Sequence, residues 1–365
     1  MFDPEKRADL LRPRMMKDGK YIITKIRGSG EEFKHEEEKI VYKDHFKFKW
    51  YLKPEILALS IKYIWSSKLL GLSENIWSIP VKNIKKIRFQ NPPYSAAYRL
   101  EGKNGDPKKY NKSLTVQVAG CNYDCNFCYV PKGQKTADTK YGKYFSAKEI
   151  IEIFSEARKE SEEPLNVIRI SGGEPIIVPE IILDVYRELE KMDLKEVYIW
   201  IDTNISTSKY LEKSESDLKD VMKKKNIGVV GCFKGVCRED FSMITCAKPE
   251  FYEKQFETAK LFLDWKTDFY IYLPALVYED NIENKIKEFI ERIQTLNKNL
   301  PLRVEVIQIV EYAAAAVNIA EKAKEGRPLP KTDQKIFFDL WYNKLLPKYY
   351  SKGMLGKFCC EVPLG

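Results

Sequence analysis

Leu114-Thr-Val-Gln-Val118-Ala-Gly120-Cys121-Asn-Tyr-Asp-Cys125-Asn-Phe-Cys128 decides how this chain is read. Leu114 to Val118 forms a short apolar run, the pattern of a buried strand, and Gly120 ends it. A polar loop follows and carries three cysteines. In parallel α/β folds, the loops after the carboxyl ends of the strands build the site. Three thiolates on one compact loop suit three irons of a cubane cluster, which leaves a fourth iron open to a substrate or cofactor. The competing readings are a zinc site and idle buried thiols. Zinc would want a fourth ligand nearby, and the two histidines, His35 and His45, stand far upstream.

Downstream the pattern becomes regular. Ser146 with Glu149 makes a capping box that opens a helix through about Glu160. Strands are expected at Val167–Ile170, Val197–Ile201, Ile227–Phe233, Phe269–Val277 and Val304–Val310. Helices are expected at Glu180–Met192, Leu211–Lys225, Tyr252–Trp265 and Ile282–Leu296, with a further helical segment near Ile336–Leu345. Strands alternating with helices of this length imply right-handed βαβ units on a parallel sheet. Six repeats suffice for a partial barrel and are too few for an eight-fold one. The fold expected is α/β, a partial (β/α)6 barrel over 113–312. A helical extension is expected over 313–365, and an α+β region over 1–112.

Upstream the chain differs in charge. Residues 1–112 hold 25 Lys/Arg against 14 Asp/Glu, an excess of 11, while the remainder holds 37 against 39. A solvated basic surface is preferred over a docking face for RNA, because no recognised RNA-binding motif accompanies it. Strand-like stretches at Lys20–Lys25 and Ile40–Tyr51 flank an acidic run, Glu31–Lys39. Pro54 opens a helical apolar pattern that Gly71 can stop, and Asn91-Pro92-Pro93 and Gly102–Asp106 read as turns. The first twenty residues are charged throughout and no long apolar run appears, so a cytoplasmic protein with no membrane association is expected. Eight cysteines in such a chain point to metal or redox chemistry rather than to a disulfide framework.

The spacing Cys121-x3-Cys125-x2-Cys128, with aromatic Phe127 before the third cysteine, resembles the signature of the radical S-adenosylmethionine (SAM) superfamily. One βα unit later, Ser171-Gly172-Gly173-Glu174-Pro175 resembles the family's GGEP turn. The resemblance spans roughly 113–312. It implies a [4Fe-4S] cluster on the three cysteines, Phe127 backbone near the adenine of SAM, and Gly172 to Pro175 holding its amino group. It also implies that Asp202-Thr203-Asn204, ending the third strand, contact the ribose or carboxylate, with Lys234 and Gln308 as further SAM contacts. Reductive cleavage of SAM to methionine and a 5′-deoxyadenosyl radical is then expected, with a reductant such as ferredoxin or flavodoxin as partner. The substrate is unidentified; RNA, protein and metabolites all stay open.

The Ile201-Asp-Thr-Asn204 segment looks most like the glycyl-radical-enzyme activases of the pyruvate formate-lyase activating enzyme type. Cys232-Phe-Lys234 departs from their Asp-Leu-Lys and removes an acid that binds a monovalent cation there. Cys232, Cys237, Cys246, Cys359 and Cys360 read as buried or idle thiols; an auxiliary cluster on some of them is the sharper alternative. Two further function classes compete with the enzyme: a non-catalytic Fe–S electron carrier and a zinc-stabilised RNA-binding module.

Overall fold

Parallel pairing organises the chain. In this computed structural model, which describes residues 1–27, 43–44, 92–278, 281–309, 313–331 and 333–364, ten strands form one sheet. They are β1 (Met16–Lys17), β2 (Lys20–Arg27), β3 (Lys43–Asp44), β4 (Lys112–Val118), β5 (Lys143–Phe145), β6 (Leu165–Gly172), β7 (Tyr198–Thr203), β8 (Ile227–Cys232), β9 (Asp268–Pro274) and β10 (Val304–Ile307). β4, β6, β7, β8, β9 and β10 neighbour one another in that order and pair in parallel throughout. This is the six-unit parallel sheet of a partial barrel. β2 adds to the edge antiparallel to β4 and also pairs with β1 and β5. The amino-terminal region is thus stitched to the sheet through β2, and also through Ala8, Leu11 and Met15 of helix Pro4–Met15, which join the main core.

The two-residue period of each strand sorts its side chains between two cores. Ile168, Ile170, Ile199, Ile201, Val229, Phe269 and Ile271 face the helices in the larger cluster. Val167, Tyr198, Trp200, Val230 and Tyr270 take the alternate positions and meet Ala96, Ala97, Cys359 and Cys360. Helix Pro93–Glu101 and the carboxyl-terminal turn therefore close the inner face, with Tyr94 stacked on Phe358 at 5.4 Å. Arg303 pairs with Asp268 at 2.7 Å beneath this layer and donates to the Val362 carbonyl at 2.9 and 2.7 Å.

The Ser146–Glu149 capping box opens helix Ala147–Glu160 with both reciprocal bonds formed. Helix Ile282–Leu296 coincides with its expected span, and Glu180–Lys191 and Tyr252–Asp264 fall within a residue of theirs. Other spans differ from expectation. Leu211–Lys225 is two helices, Lys209–Lys213 and Glu215–Met222, because the chain turns at Ser214. Pro92 is a turn residue and leads straight into helix Pro93–Glu101, since proline suits a first helical turn, while Asn91 lies outside the described residues. The last strand stops at Ile307. Helix Arg238–Thr245 was not foreseen at all; its apolar positions are few, and a cysteine caps it. The expected features from Glu31 to Lys39, from Pro54 to Gly71, and most of Ile40–Tyr51 lie outside the described residues. Among the described residues no helix is long and apolar enough to cross a membrane.

Candidate active site

Gly120 ends β4 at φ +91°, a conformation that favours glycine. The cysteine loop then hangs from main-chain bonds. Gly120 N–H donates to the Gln134 carbonyl, Cys121 N–H to Lys135, Asp124 N–H to Thr245 and Asn126 N–H to Ile244, all at 2.9–3.1 Å. The unforeseen helix Arg238–Thr245 is thus one wall of the loop.

Gly173 explains the next contact. A Cβ at this position would lie 1.8 Å from the Gly120 oxygen. Only a glycine lets the β6 turn lie against the β4 turn, where Gly173 N–H reaches the Val118 carbonyl and Glu174 N–H the Gly120 carbonyl, both at 2.8 Å. The glycines thus serve chain against chain, a role not foreseen from their resemblance to a SAM-binding turn.

Glu174 is fully buried and ties three loops together. Its carboxylate accepts from Thr203 Oγ1 at 2.6 Å, from the Asn204 N–H at 2.5 Å and from the Ile176 N–H at 3.2 Å. Burial pushes its pKa up to about 7, against the pull of those donors and of Lys234. Asn204 extends the chain of bonds to the cysteines: its Nδ2 lies 3.7 Å from Cys121 Sγ and 3.1 Å from Asn122 Oδ1. Asn122, in turn, donates to Ser206 Oγ at 2.8 Å and to the Pro4 carbonyl at 3.1 Å. Asn122 was missed in the sequence because its partners lie 84 and 118 residues away.

Cys121 and Cys125 are each costly to ionise alone. Burial raises Cys121 to about 11, with Glu174 and Cys128 adding to it, and raises Cys125 to about 12, with Cys128 and Cys121 contributing. Thiols this costly to ionise alone become thiolates when a bound cation takes the place of the proton. That donor set, three sulfurs on one loop with no histidine among them, fits iron–sulfur ligation. Among the described residues no three His, Cys, Asp or Glu side chains close on a single-ion site. A cubane spreads its thiolates over separate irons and needs no such convergence.

Lys234, just beyond β8, joins this group. Its ammonium lies 5.5 Å from the Phe127 ring centroid. Burial opposes its charge, yet Cys232, Cys125, Cys128 and Cys121 outweigh burial and hold its pKa above the ordinary lysine value. Cys232 is raised to about 11 by burial, with Lys234 pulling the other way. Pro175 is buried and starts the short turn Pro175–Ile177.

Asp202 is placed differently. Its carboxylate sits 2.5 Å from Arg169 and 2.8 Å from Trp200 Nε1, so both oxygens are engaged within the inner face. Gln308 is exposed beyond the end of β10, at the far end of the strand order from the cysteine loop. Among the described residues the remaining cysteines form no three-ligand group for a single ion. Cys237 caps helix Arg238–Thr245 through the Asp240 N–H, Cys359 and Cys360 pack beside Tyr270, and Cys232 stays with Lys234.

Residues 116–283 match the family model described as Radical SAM superfamily. A curated relative, the 7-carboxy-7-deazaguanine synthase of Methanothermobacter thermautotrophicus, is 31% identical over 85 residues, 23% of this chain and 32% of the relative. The chain therefore spans about a third of the length of that relative. Among solved structures, Streptococcus suis SuiB bound to S-adenosylmethionine is 16% identical, covering 63% of this chain and 45% of that one at a TM-score of 0.41. A spore photoproduct lyase variant with bound AdoMet and dinucleoside spore photoproduct is 10% identical, covering 68% and 76% at a TM-score of 0.46. Enzymes of the matched superfamily use a [4Fe-4S] cluster and SAM, and residues 116–283 of this chain are similar to their radical SAM domain.

Proposed function

We propose that this chain reductively cleaves SAM at a [4Fe-4S] cluster on Cys121, Cys125 and Cys128, and that the 5′-deoxyadenosyl radical takes hydrogen from a substrate at the carboxyl ends of the strands. The observation that carries this reading is the bonding of the β4 end that bears the three-cysteine loop, at Val118 and Gly120, to the Gly172–Pro175 turn through Gly173 and Glu174. An electron carrier needs no second turn folded against its cluster loop.

When bound, the cluster supplies one electron to the SAM sulfonium, whose C–S bond then breaks. The chain's own residues bind and orient. Gly172 and Gly173, partly exposed at the loop mouth, offer main chain to the SAM amino group. Phe127 and Lys234, 5.5 Å apart, would hold the adenine end. Thr203 and Asn204 hold Glu174 fixed, and Asn204 also bonds Cys121, so a change at either is transmitted to the cluster loop. Gln308 and Asp202 are the outlying members of the proposed SAM shell. An electron donor of the ferredoxin or flavodoxin type supplies the reductant. Residues 113–312 serve as the catalytic core, with 1–112 and 313–365 built onto it.

The narrower activase reading has less support. Asp202 is engaged by Arg169 and Trp200, and Cys232 stands where a second acid would be needed, so a monovalent cation would find one carboxylate, already bonded, in place of two. The partial match to a 7-carboxy-7-deazaguanine synthase adds small heterocycles to the substrate classes to assay, beside RNA and protein. The decisive test is anaerobic incubation of reconstituted, dithionite-reduced protein with SAM. 5′-Deoxyadenosine and methionine are expected, slowly without substrate. Formation of S-adenosylhomocysteine alone would replace radical cleavage with methyl transfer.

A further inference from the structure

The carboxyl-terminal extension reaches back to the cysteine loop. Asn318, on helix Ala313–Lys324, donates to the carbonyls of Cys125 at 3.0 Å and Asn126 at 3.2 Å. One turn further, Lys322 lies 2.7 Å from Asp124 Oδ2, on the residue before Cys125. Arg327, just past the helix, donates to the same oxygen at 2.8 Å and to the Asp124 carbonyl at 2.9 Å. Lys135, whose own carbonyl holds the Cys121 N–H, closes on the other carboxylate oxygen at 2.9 Å.

All three cations are sequestered from water: the side chains of Lys135, Lys322 and Arg327 are 2%, 3% and 10% exposed. Three positive charges against one carboxylate leave a surplus of two. Glu325, on the half-exposed rim, bonds Lys322 at 2.7 Å and Arg327 at 3.4 Å and offsets one of them. Surplus buried charge is costly unless a negative group shares the site. A cubane held by three thiolates is such a group, and it gains a further negative charge on reduction.

We propose that the extension sets the reduction potential of the cluster: Asn318 fixes the Cys125 segment, while Lys322 and Arg327, with Lys135, stabilise the reduced form. These are positioning residues, since they act through Asp124 and the loop. The inference rests on the cluster assignment to Cys121, Cys125 and Cys128.

The test is an EPR-monitored potentiometric titration of the full chain, anaerobically reconstituted. Lys322→Met should lower the potential, with a roughly tenfold smaller ratio of reduced to oxidised cluster at fixed poise, about 59 mV for a one-electron couple. Lys322→Arg, which keeps the charge, should restore the parent value. Glu325→Gln, at the rim, should raise the potential. Asn318→Ala removes two bonds and no charge, so it should speed loss of iron to a chelator and leave the potential in place. An intact cluster with unchanged potential in both Lys322→Met and Glu325→Gln, or shifts of the same sign, overturns the proposal. Should Lys322→Met fail to fold, Glu325→Gln decides alone: a rise supports the proposal and no change sinks it. Absence of an iron–sulfur signal in the parent chain would be a different failure, that of the cluster assignment itself.

Discussion

Gly173→Ala gives the sharpest test of how the site is held together. The added Cβ would sit 1.8 Å from the Gly120 oxygen and 2.6 Å from its carbonyl carbon. Those atoms are main chain, so no side chain can swing aside. Gly120 is itself fixed by its bond to Gln134 and by its φ of +91°. Relief requires the β6 turn to move away from β4 by about 1.5 Å, taking ordinary van der Waals spacing as about 3.3 Å. That shift breaks the bonds from Gly173 to Val118 and from Glu174 to Gly120. Two main-chain bonds at about 1 kcal/mol each, plus about 1–3 kcal/mol for overpacking, place the destabilisation at about 3–5 kcal/mol. Gly326→Ala is the control. Gly326 has a φ of +81° and nothing within 4 Å of where a Cβ would sit, so it incurs backbone strain alone, about 1–2 kcal/mol. Urea unfolding of both metal-free variants by circular dichroism measures the difference, and iron content after reconstitution reports the loop. The reasoning is refuted if Gly173→Ala costs no more than the control and takes up iron as the parent does.

Replacing Cys121, Cys125 and Cys128 together with Ala should remove a cluster of about four irons per chain; iron and sulfide analysis with EPR checks this, and a SAM-responsive signal surviving in the triple variant would end the assignment. Arg303→Met should cost about 1.5–3 kcal/mol in thermal or urea unfolding, because it removes the close cation from the buried Asp268 carboxylate, which keeps Arg99 at 3.8 Å and the hydroxyls of Tyr198 and Tyr270, whereas Arg303→Lys should recover part of the loss without restoring both bonds to Val362. The charge of Lys82, Lys85, Lys86 and Arg88, outside the described residues, is expected to be solvated. Filter binding should accordingly find no steep salt-dependent affinity for RNA, and a steep dependence lost on reversing those four charges would make the region a docking face.

Much of the fold was legible because each strand repeats one local pattern. Val116, Ile168, Ile199, Val229 and Ile271 sit in apolar runs bounded by turn residues, and the connections between them are long enough for crossover helices. Those cues are local, and they suffice to order six parallel strands. What escaped was governed by distant partners. Helix Arg238–Thr245 lacks a strong apolar stripe because part of its work is polar, its Ile244 and Thr245 carbonyls holding the cysteine loop. Helix Pro4–Met15 was missed although Asp3 and Pro4 are sound start signals, since its many charges mask a narrow buried face of Ala8, Leu11 and Met15.

The same distinction runs through the site. Cys121, Cys125, Cys128 and the Gly172–Pro175 turn are motifs, compact in sequence, and their spacing alone points to a chemistry. Asp124 sits inside that motif yet has no legible role there, because Lys322 and Arg327 arrive from some 200 residues downstream. Asp202 shows the converse. Its strand end suggests a ligand contact, and the fold adds what the sequence does not show, the bonds of both its oxygens to Arg169 and Trp200 on the same inner face. A residue's type and place at a strand end therefore identify which groups are available to a site. Whether a group is spent on the scaffold or left for chemistry depends on partners that only the fold brings within hydrogen-bond distance. By that criterion Asp124 is spent on the scaffold, Asp202 enters the proposed SAM shell already tied to Arg169 and Trp200, and Lys234 enters it beside the Phe127 ring, 5.5 Å from its centroid.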